Sequence, residues 1–227
     1  SYSVTGVQTC ALPIWVTFLA LEKMFDQQVQ NDIQLLSEGV ESYLEVMKEK
    51  AQGIVRLTAS RRDIAEAIEK GDVALLQQES HRLMQKNHAF SMVVTDGAGD
   101  VMARGYNKQV GDNLNSRQSV YKALAGTETV GIEEGDKMKL SLVAGSPILL
   151  NHFVIGTVIG GFDLVSAGDF VTEVKKKFNV ECSLFQNNVR LATTVVSGGK
   201  RVIGSRLNNT VLNQDIFKTR KKITLHE

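Results

Sequence analysis

The constraint that narrows the fold most is a change of period at Phe90. Before it, apolar residues recur every three or four positions; from Phe90 to Leu164 they come in short runs broken by turn residues. Ser91-Met-Val-Val-Thr-Asp-Gly-Ala-Gly-Asp-Val-Met-Ala-Arg104 is two apolar runs joined by Asp-Gly-Ala-Gly, which predicts a β-hairpin. Gly111-Asp-Asn-Leu114 follows, then a short helix over Ser119–Ala125 closed by Gly126. Three more strands are expected at Thr129–Glu133, Lys139–Leu150 and His152–Leu164, the last two joined through Asn151-His152. Two strands, a helical crossover and three more strands are expected to form one antiparallel sheet.

Upstream, Phe25, Val29, Ile33, Leu36, Val40, Tyr43, Met47, Ala51 and Ile54 follow helical, nearly heptad spacing over Val16–Thr58. Gly39 and Gly53 cost such a helix only modestly. About 40 helical residues would run about 60 Å, more than a small domain needs, so this segment reads as a stalk. Ser60 is expected to cap a second helix, Arg61–Lys70, ended by Gly71. Asp72 should cap a third, reaching Asn87, with Val73, Leu76, Leu83 and Met84 on one side. At the start, Val4-Thr-Gly-Val-Gln-Thr-Cys-Ala-Leu-Pro-Ile14 resembles a translated sequencing adaptor. Ser1–Ile14 is therefore set aside from fold reasoning, the alternative being a natural signal or anchor segment, and the gene is expected to be truncated there. Trp15–Leu21 fits either the end of a membrane helix or the apolar start of a soluble one.

After Leu164 the pattern restarts. Ser166-Ala-Gly-Asp169 should cap a helix through Phe178, with Asn179 as its left-handed stop. Cys182–Thr194 is a second strand–turn–strand unit with its turn at Asn187-Asn188. Gly204-Ser-Arg-Leu207 repeats Gly111-Asp-Asn-Leu114, and Thr210–Lys218 stands where the short helix stood. The two units are offset by about 92 residues, an internal repeat whose second copy stops before its last three strands.

Enzymatic and metal constellations are weak. His81 and His88 lie two helical turns, about 10 Å, apart, too far for one metal ion. His152 falls in a strand connection and His226 at the tail. Glu133-Glu134-Gly135-Asp136 reads as a turn, and Asp96–Asp100 lacks the ligand ladder of a calcium loop. Gly156-Thr-Val-Ile-Gly-Gly161 is neither a phosphate loop nor a dinucleotide fingerprint. No catalytic set, metal site or cofactor is expected. With 26 Lys+Arg against 25 Asp+Glu, nothing advertises nucleic acid. Once Cys10 is set aside, Cys182 has no partner for an intrachain disulfide.

The polar residues of the first sheet are more informative. Arg104 and Tyr106 end the second strand, Arg117 and Tyr121 belong to the crossover, Lys139 and Ser141 open the fourth strand, and Asp163 sits late in the fifth. These seven are the candidate ligand-binding residues. Cationic and hydroxyl groups on a concave sheet face suit a small carboxylate or an amino acid. Arg104 and Lys139 are expected to face the anion, with Asp163 available to an ammonium group.

Met102-Ala-Arg-Gly-Tyr-Asn107, Gly111–Leu114, Tyr121-Lys-Ala-Leu-Ala-Gly126, Gly131-Ile-Glu-Glu-Gly135 and Leu140-Ser-Leu-Val-Ala-Gly-Ser-Pro147 together resemble the Cache sensor region of methyl-accepting chemotaxis proteins. So do Gly156–Leu164, Phe170–Lys177, Phe185–Thr194 and Gly199–Gly204, so that the resemblance covers Leu21–Glu227. It implies an α+β fold: a long N-terminal helix, a PAS-like (Cache) antiparallel sheet domain and a truncated second PAS-like unit. The corresponding divisions are 1–14 (set aside), 15–88 (membrane-helix remnant, stalk and helical lead-in), 89–165 (first Cache domain), 166–181 (linker helix) and 182–227 (partial second Cache domain). The resemblance also implies a ligand-sensing domain without catalysis, extracytoplasmic at the inner membrane, dimeric through its N-terminal helix and flanked by membrane helices. Histidine kinases and diguanylate cyclases carry similar sensors. The rival of another class is a small α+β hydrolase or transferase.

Overall fold

The computed structural model describes residues 11–87, 90–135, 139–166 and 169–206 of the chain. It divides into two compact units, one ending at Ser42 and one beginning at Tyr43. Helix α1 (Ala11–Ala59) bears out the helical spacing. Up to Ser42, Val29, Ile33, Leu36 and Val40 form a half-buried side, while Leu35 is exposed.

In the second unit the last turns of α1 are anchored. Ala51, Val55, Thr58 and Ala59 are buried, and Tyr43 stacks on Phe170 with ring centroids 6.0 Å apart. The Arg56 guanidinium grips Glu128, just ahead of the third strand. Ser60 does not cap the next helix as expected. Its hydroxyl donates back to Leu57 O at 3.0 Å, and α2 (Arg62–Lys70) starts from Arg61 with no side-chain cap. Arg61 instead ties α2 to α3 (Val73–Lys86), reaching Asp63 Oδ1 at 3.0 Å and Glu79 Oε2 at 2.6 Å. Gly71 is left-handed (φ 67°), and Asp72 caps α3 by accepting from Leu75 N at 3.0 Å, both as expected. Val73 departs from expectation: the buried stripe runs through Leu76 and Ser80 and leaves Val73 exposed at its edge.

Strands β1 (Phe90–Asp96), β2 (Val101–Arg104), β3 (Thr129–Glu133), β4 (Ser141–Leu150) and β5 (Phe153–Asp163) make one sheet in the order β2-β1-β5-β4-β3. Every neighbouring pair is antiparallel. Helix α4 (Gln118–Leu124) is the crossover from β2 to β3, and Gly126 (φ 85°) closes it. Register then sorts the side chains, because alternate residues share a face. Arg104, Val93, Ile159, Gly145 and Thr129 stand abreast; Ser91, Gly161, Val143 and Gly131 form the next row; Asp163, Ser141 and Glu133 form the third. On this face α4 packs Val120 and Ala123 against Val143 and Ile159. The other face buries Met92, Val94, Leu142, Ala144 and Val158 on the side of α2 and α3.

The β4–β5 hairpin turns through Asn151 (φ 49°) and His152 (φ 70°), with Leu150 paired to Phe153. Two left-handed residues are the signature of the turn type that matches strand twist, and glycine is favoured at the second position. His152→Gly should therefore stabilise the protein by about 0.5–1 kcal/mol. A melting temperature lower than wild type in calorimetry would contradict the turn assignment.

Helix α5 (Asp169–Phe178) ends at left-handed Asn179 (φ 54°), as expected; its anticipated cap lies partly outside the described residues. The second hairpin, β6 (Ser183–Gln186) and β7 (Val189–Thr193), turns at Asn187 (φ 54°). A small ribbon, β8 (Val196–Ser197) with β9 (Lys200–Arg201), follows. The internal repeat extends to individual hydrogen bonds. Gly111 N donates to Val101 O at 2.8 Å and Val101 N to Asp112 O at 2.9 Å; Gly204 N donates to Arg190 O at 2.8 Å and Arg190 N to Ser205 O at 2.9 Å. Leu207 and the expected Thr210–Lys218 helix lie outside the described residues.

Candidate ligand-binding site

A cavity of about 200 Å³ lies between the face carrying those rows and the Gly105–Arg117 segment. Val93, Leu114, Val143 and Ile159 supply its apolar wall. Its charged lining among the described residues is Arg104, Asp112, Arg117 and Glu133, with hydroxyls from Tyr106, Ser91 and Ser141. Four of the seven candidates from the sequence, Arg104, Tyr106, Arg117 and Ser141, thus come together.

Arg104 is only 5% exposed and does not present a free charge. Nη1 and Nη2 donate to Asp112 Oδ1 and Oδ2 at 2.6 and 2.5 Å, Nη1 also to Gln109 O at 2.7 Å, and Nε to the Tyr106 hydroxyl at 3.1 Å. Hydrogen bonding to Asp112 pushes the guanidinium further toward its charged form. Helix α3 fixes the start of the crossover. Gln77 Nε2 donates to Arg104 O and, at 3.0 Å, to Asn107 O, and the His81 ring meets Gly105 O at 3.0 Å.

Arg117, half-buried at the N-cap of α4, has no side-chain partner among the described residues. Ser141 is 4% exposed and its hydroxyl oxygen is likewise without a partner. Glu133 ends β3 rather than lying in a turn. Its oxygens accept from Ser119 N at 2.8 Å and Ser119 Oγ at 3.1 Å, holding the start of α4 to the sheet.

The other three candidates are not in the cavity lining. Tyr121 is 63% exposed on the outer side of α4, and Lys139 is exposed ahead of β4. Asp163 shares the row of Ser141 but turns away, accepting from Val165 N at 2.8 Å and Ser166 N at 3.0 Å. Asp112 and Glu133 were missed as site residues. For Glu133 the signal was available, because antiparallel register places the end of β3 opposite Ser141.

A broader hollow of about 510 Å³ lies between the α1–α2 junction and the β4 end of the hairpin. Its arginines are spoken for: Arg56 by Glu128, Arg61 by Asp63 and Glu79, Arg62 by Glu66. Among the described residues no group of three or more His, Cys, Asp or Glu side chains could hold a metal ion, and no helix is long and apolar enough to cross a membrane. Burial pushes the Cys182 thiol up to about 11, away from reactive thiolate.

The sheet order, the crossover helix and the cavity beneath it define the class: a Cache sensor fold, the PAS-like α+β arrangement. Residues 163–222 match the family described as Single cache domain 3. The Vibrio cholerae histidine kinase DctB sensor domain superposes with a TM-score of 0.61 at 15% identity, over 74% of this chain and 68% of that one. The ligand-binding domain of the Campylobacter jejuni chemoreceptor Tlp3, in complex with L-valine, gives 0.59 at 14%, over 86% and 81%. The Escherichia coli DcuS sensor domain gives 0.50 at 24%, over 60% and 97%. No curated protein matches the chain. The likeness to Cache sensor regions of chemotaxis proteins, carried in sequence by the motifs of Met102–Gly204, is thus met in the fold.

Proposed function

We propose that the chain is the extracytoplasmic ligand-sensing domain of a transmembrane chemoreceptor and that it performs no catalysis. In this reading 89–165 is the sensing unit, 166–181 its linker helix and 182–227 part of a second unit. Two copies pair through the N-terminal helix, and membrane helices flank the domain. The observation that carries the reading is a pair of polar groups in one cavity with no side-chain partner among the described residues: the buried Ser141 hydroxyl, which is unsatisfied, and the half-buried Arg117 guanidinium. A buried polar group without a partner costs about 1–3 kcal/mol, which a ligand carboxylate would relieve. Tlp3, bound to L-valine, supports a small amino acid or carboxylate as the ligand class. Binding would bias the packing of the sheet against the anchored turns of α1, through contacts such as Arg56 with Glu128, and reach the membrane as a helix displacement.

A thermal-shift screen of amino acids and small carboxylates, followed by calorimetry, tests it. Arg117→Ala should weaken binding about ten- to a hundredfold, the worth of one charge-assisted hydrogen bond. Its melting temperature should move little, because the side chain makes no hydrogen bond or ion pair among the described residues. Lys139→Ala, outside the cavity, should bind as the wild type does. Unchanged affinity in Arg117→Ala would place the site elsewhere. The likeness to DctB favours a second reading, the sensor of a histidine kinase, which the full-length gene distinguishes.

A further inference from the structure

The cavity holds two cations and two carboxylates among its described lining residues, and they are not equivalent. Arg104 is neutralised in place by Asp112 through two parallel hydrogen bonds. Glu133 receives one hydrogen bond on each oxygen from Ser119, which leaves each oxygen a lone pair for a donor such as an ammonium group. Of the two described cations, Arg117 alone has no carboxylate partner among the described residues.

The repeat supplies an internal control for what the Arg104–Asp112 pair does. The second unit closes the same turn with the same two backbone hydrogen bonds, Gly204 N to Arg190 O and Arg190 N to Ser205 O. Aligning Arg190 with Val101 and Gly204 with Gly111 puts Thr193 where Arg104 stands and Ser205 where Asp112 stands. The backbone closure therefore does not require an ion pair. In the second unit the residue aligned with Asp112, Ser205, takes a neutral hydrogen bond from Arg190 Nη1 at 2.9 Å, so the charge on Asp112 is not needed for that closure.

We propose that Asp112 is the residue that sets which ligand charge the cavity accepts. By occupying Arg104 it leaves Arg117 as the one cation without a carboxylate partner among the described lining residues, so the site takes a ligand with one carboxylate and no net charge and rejects dicarboxylates. Their second carboxylate would meet Glu133 and no free cation among the described residues. This rests on the sensor reading above. Removing the Asp112 charge hands Arg104 to the cavity as a second anion subsite.

The test is calorimetry on the full chain as wild type, Asp112→Asn and the double variant Arg104→Gln/Asp112→Asn. The probes are the standard amino acids, L-valine first, and the dicarboxylates malonate, succinate and glutarate. The wild type should prefer an amino acid. In Asp112→Asn the dicarboxylate-to-amino-acid affinity ratio should rise about ten- to a hundredfold, the size of one added unit charge at close range in a partly screened site. The double variant, neutral again, should return the ratio to within about threefold of wild type. A merely structural pair would lower both affinities together in Asp112→Asn and would not be rescued by the second change. Should Asp112→Asn fail to fold, the double variant still decides: a ratio shifted toward dicarboxylates there overturns the proposal. An unshifted ratio in folded Asp112→Asn, or a wild type that prefers a dicarboxylate, overturns this inference and leaves the sensor reading standing. A wild type that binds none of the probes overturns both.

Discussion

Leu142→Ala should unfold about 6–16 °C below the wild type. Leu142 is fully buried in β4, between Ile132 of β3 and Phe162 of β5, on the sheet face that α2 and α3 cover. Truncating a buried leucine loses the transfer free energy of three carbons and leaves a void that strands cannot collapse into, together about 3–4 kcal/mol. For a chain of this size each kcal/mol moves the midpoint by about 2–4 °C. Leu142→Met, which conserves volume, should cost under about 1.5 kcal/mol. Differential scanning calorimetry of the two variants separates packing from chemistry at the site. A shift under about 2 °C for the alanine would mean that this face repacks freely and that Leu142 is not a keystone of the sheet.

The second large effect comes from the opposite kind of change at the neighbouring strand. Gly161 lies in β5, paired to Ser91 of β1 on one side and Val143 of β4 on the other. A Cβ there would run into the carbonyl oxygen of Leu142, with Val143 Cα only 3.0 Å away. Those atoms are backbone in a ladder and cannot rotate aside as a side chain would. Gly161→Ala should therefore cost about 3 kcal/mol, and because Gly161 also lines the cavity, ligand affinity should fall with it. Gly131→Ala is the matched control. It lies in the same row, on edge strand β3, with no atom within 4 Å of its would-be Cβ, and should change stability by no more than about 0.5 kcal/mol. Equal melting of the two alanine variants would contradict the register from which the site is built.

Much of this fold could be read from residues close in sequence, because the forces that choose a helix or a strand act over a few residues. Asn151-His152 was readable as a strand connection, and Gly126 and Asn179 as helix ends, because glycine and asparagine tolerate the left-handed backbone that these positions take. Asp72 announced α3 for a similarly local reason, a carboxylate next to unpaired amide N–H groups. Ser60 misled because a serine hydroxyl serves equally well to close the preceding helix, and Arg61 was recruited by Glu79, eighteen residues away.

The candidate binding residues divide along the same line. Sequence offered Arg104, Ser141 and Asp163 as polar groups that could converge in the first sheet, and it is the register that puts all three on one face. Period and turn chemistry carried no information about who pairs with whom. Arg104 was expected, with Lys139, to face an anionic ligand and is instead claimed by Asp112, which the crossover folds back over it. Arg117 is left without a side-chain partner among the described residues, and Asp163, in the right row, spends its carboxylate on the amides of Val165 and Ser166. Ownership of a charge depends on distances of a few ångströms between groups brought together by register and loop path. Hydrophobic spacing along the chain is blind to those distances, so the helices and strands were legible in the sequence while the electrostatics of the cavity emerged only when the strands were laid side by side.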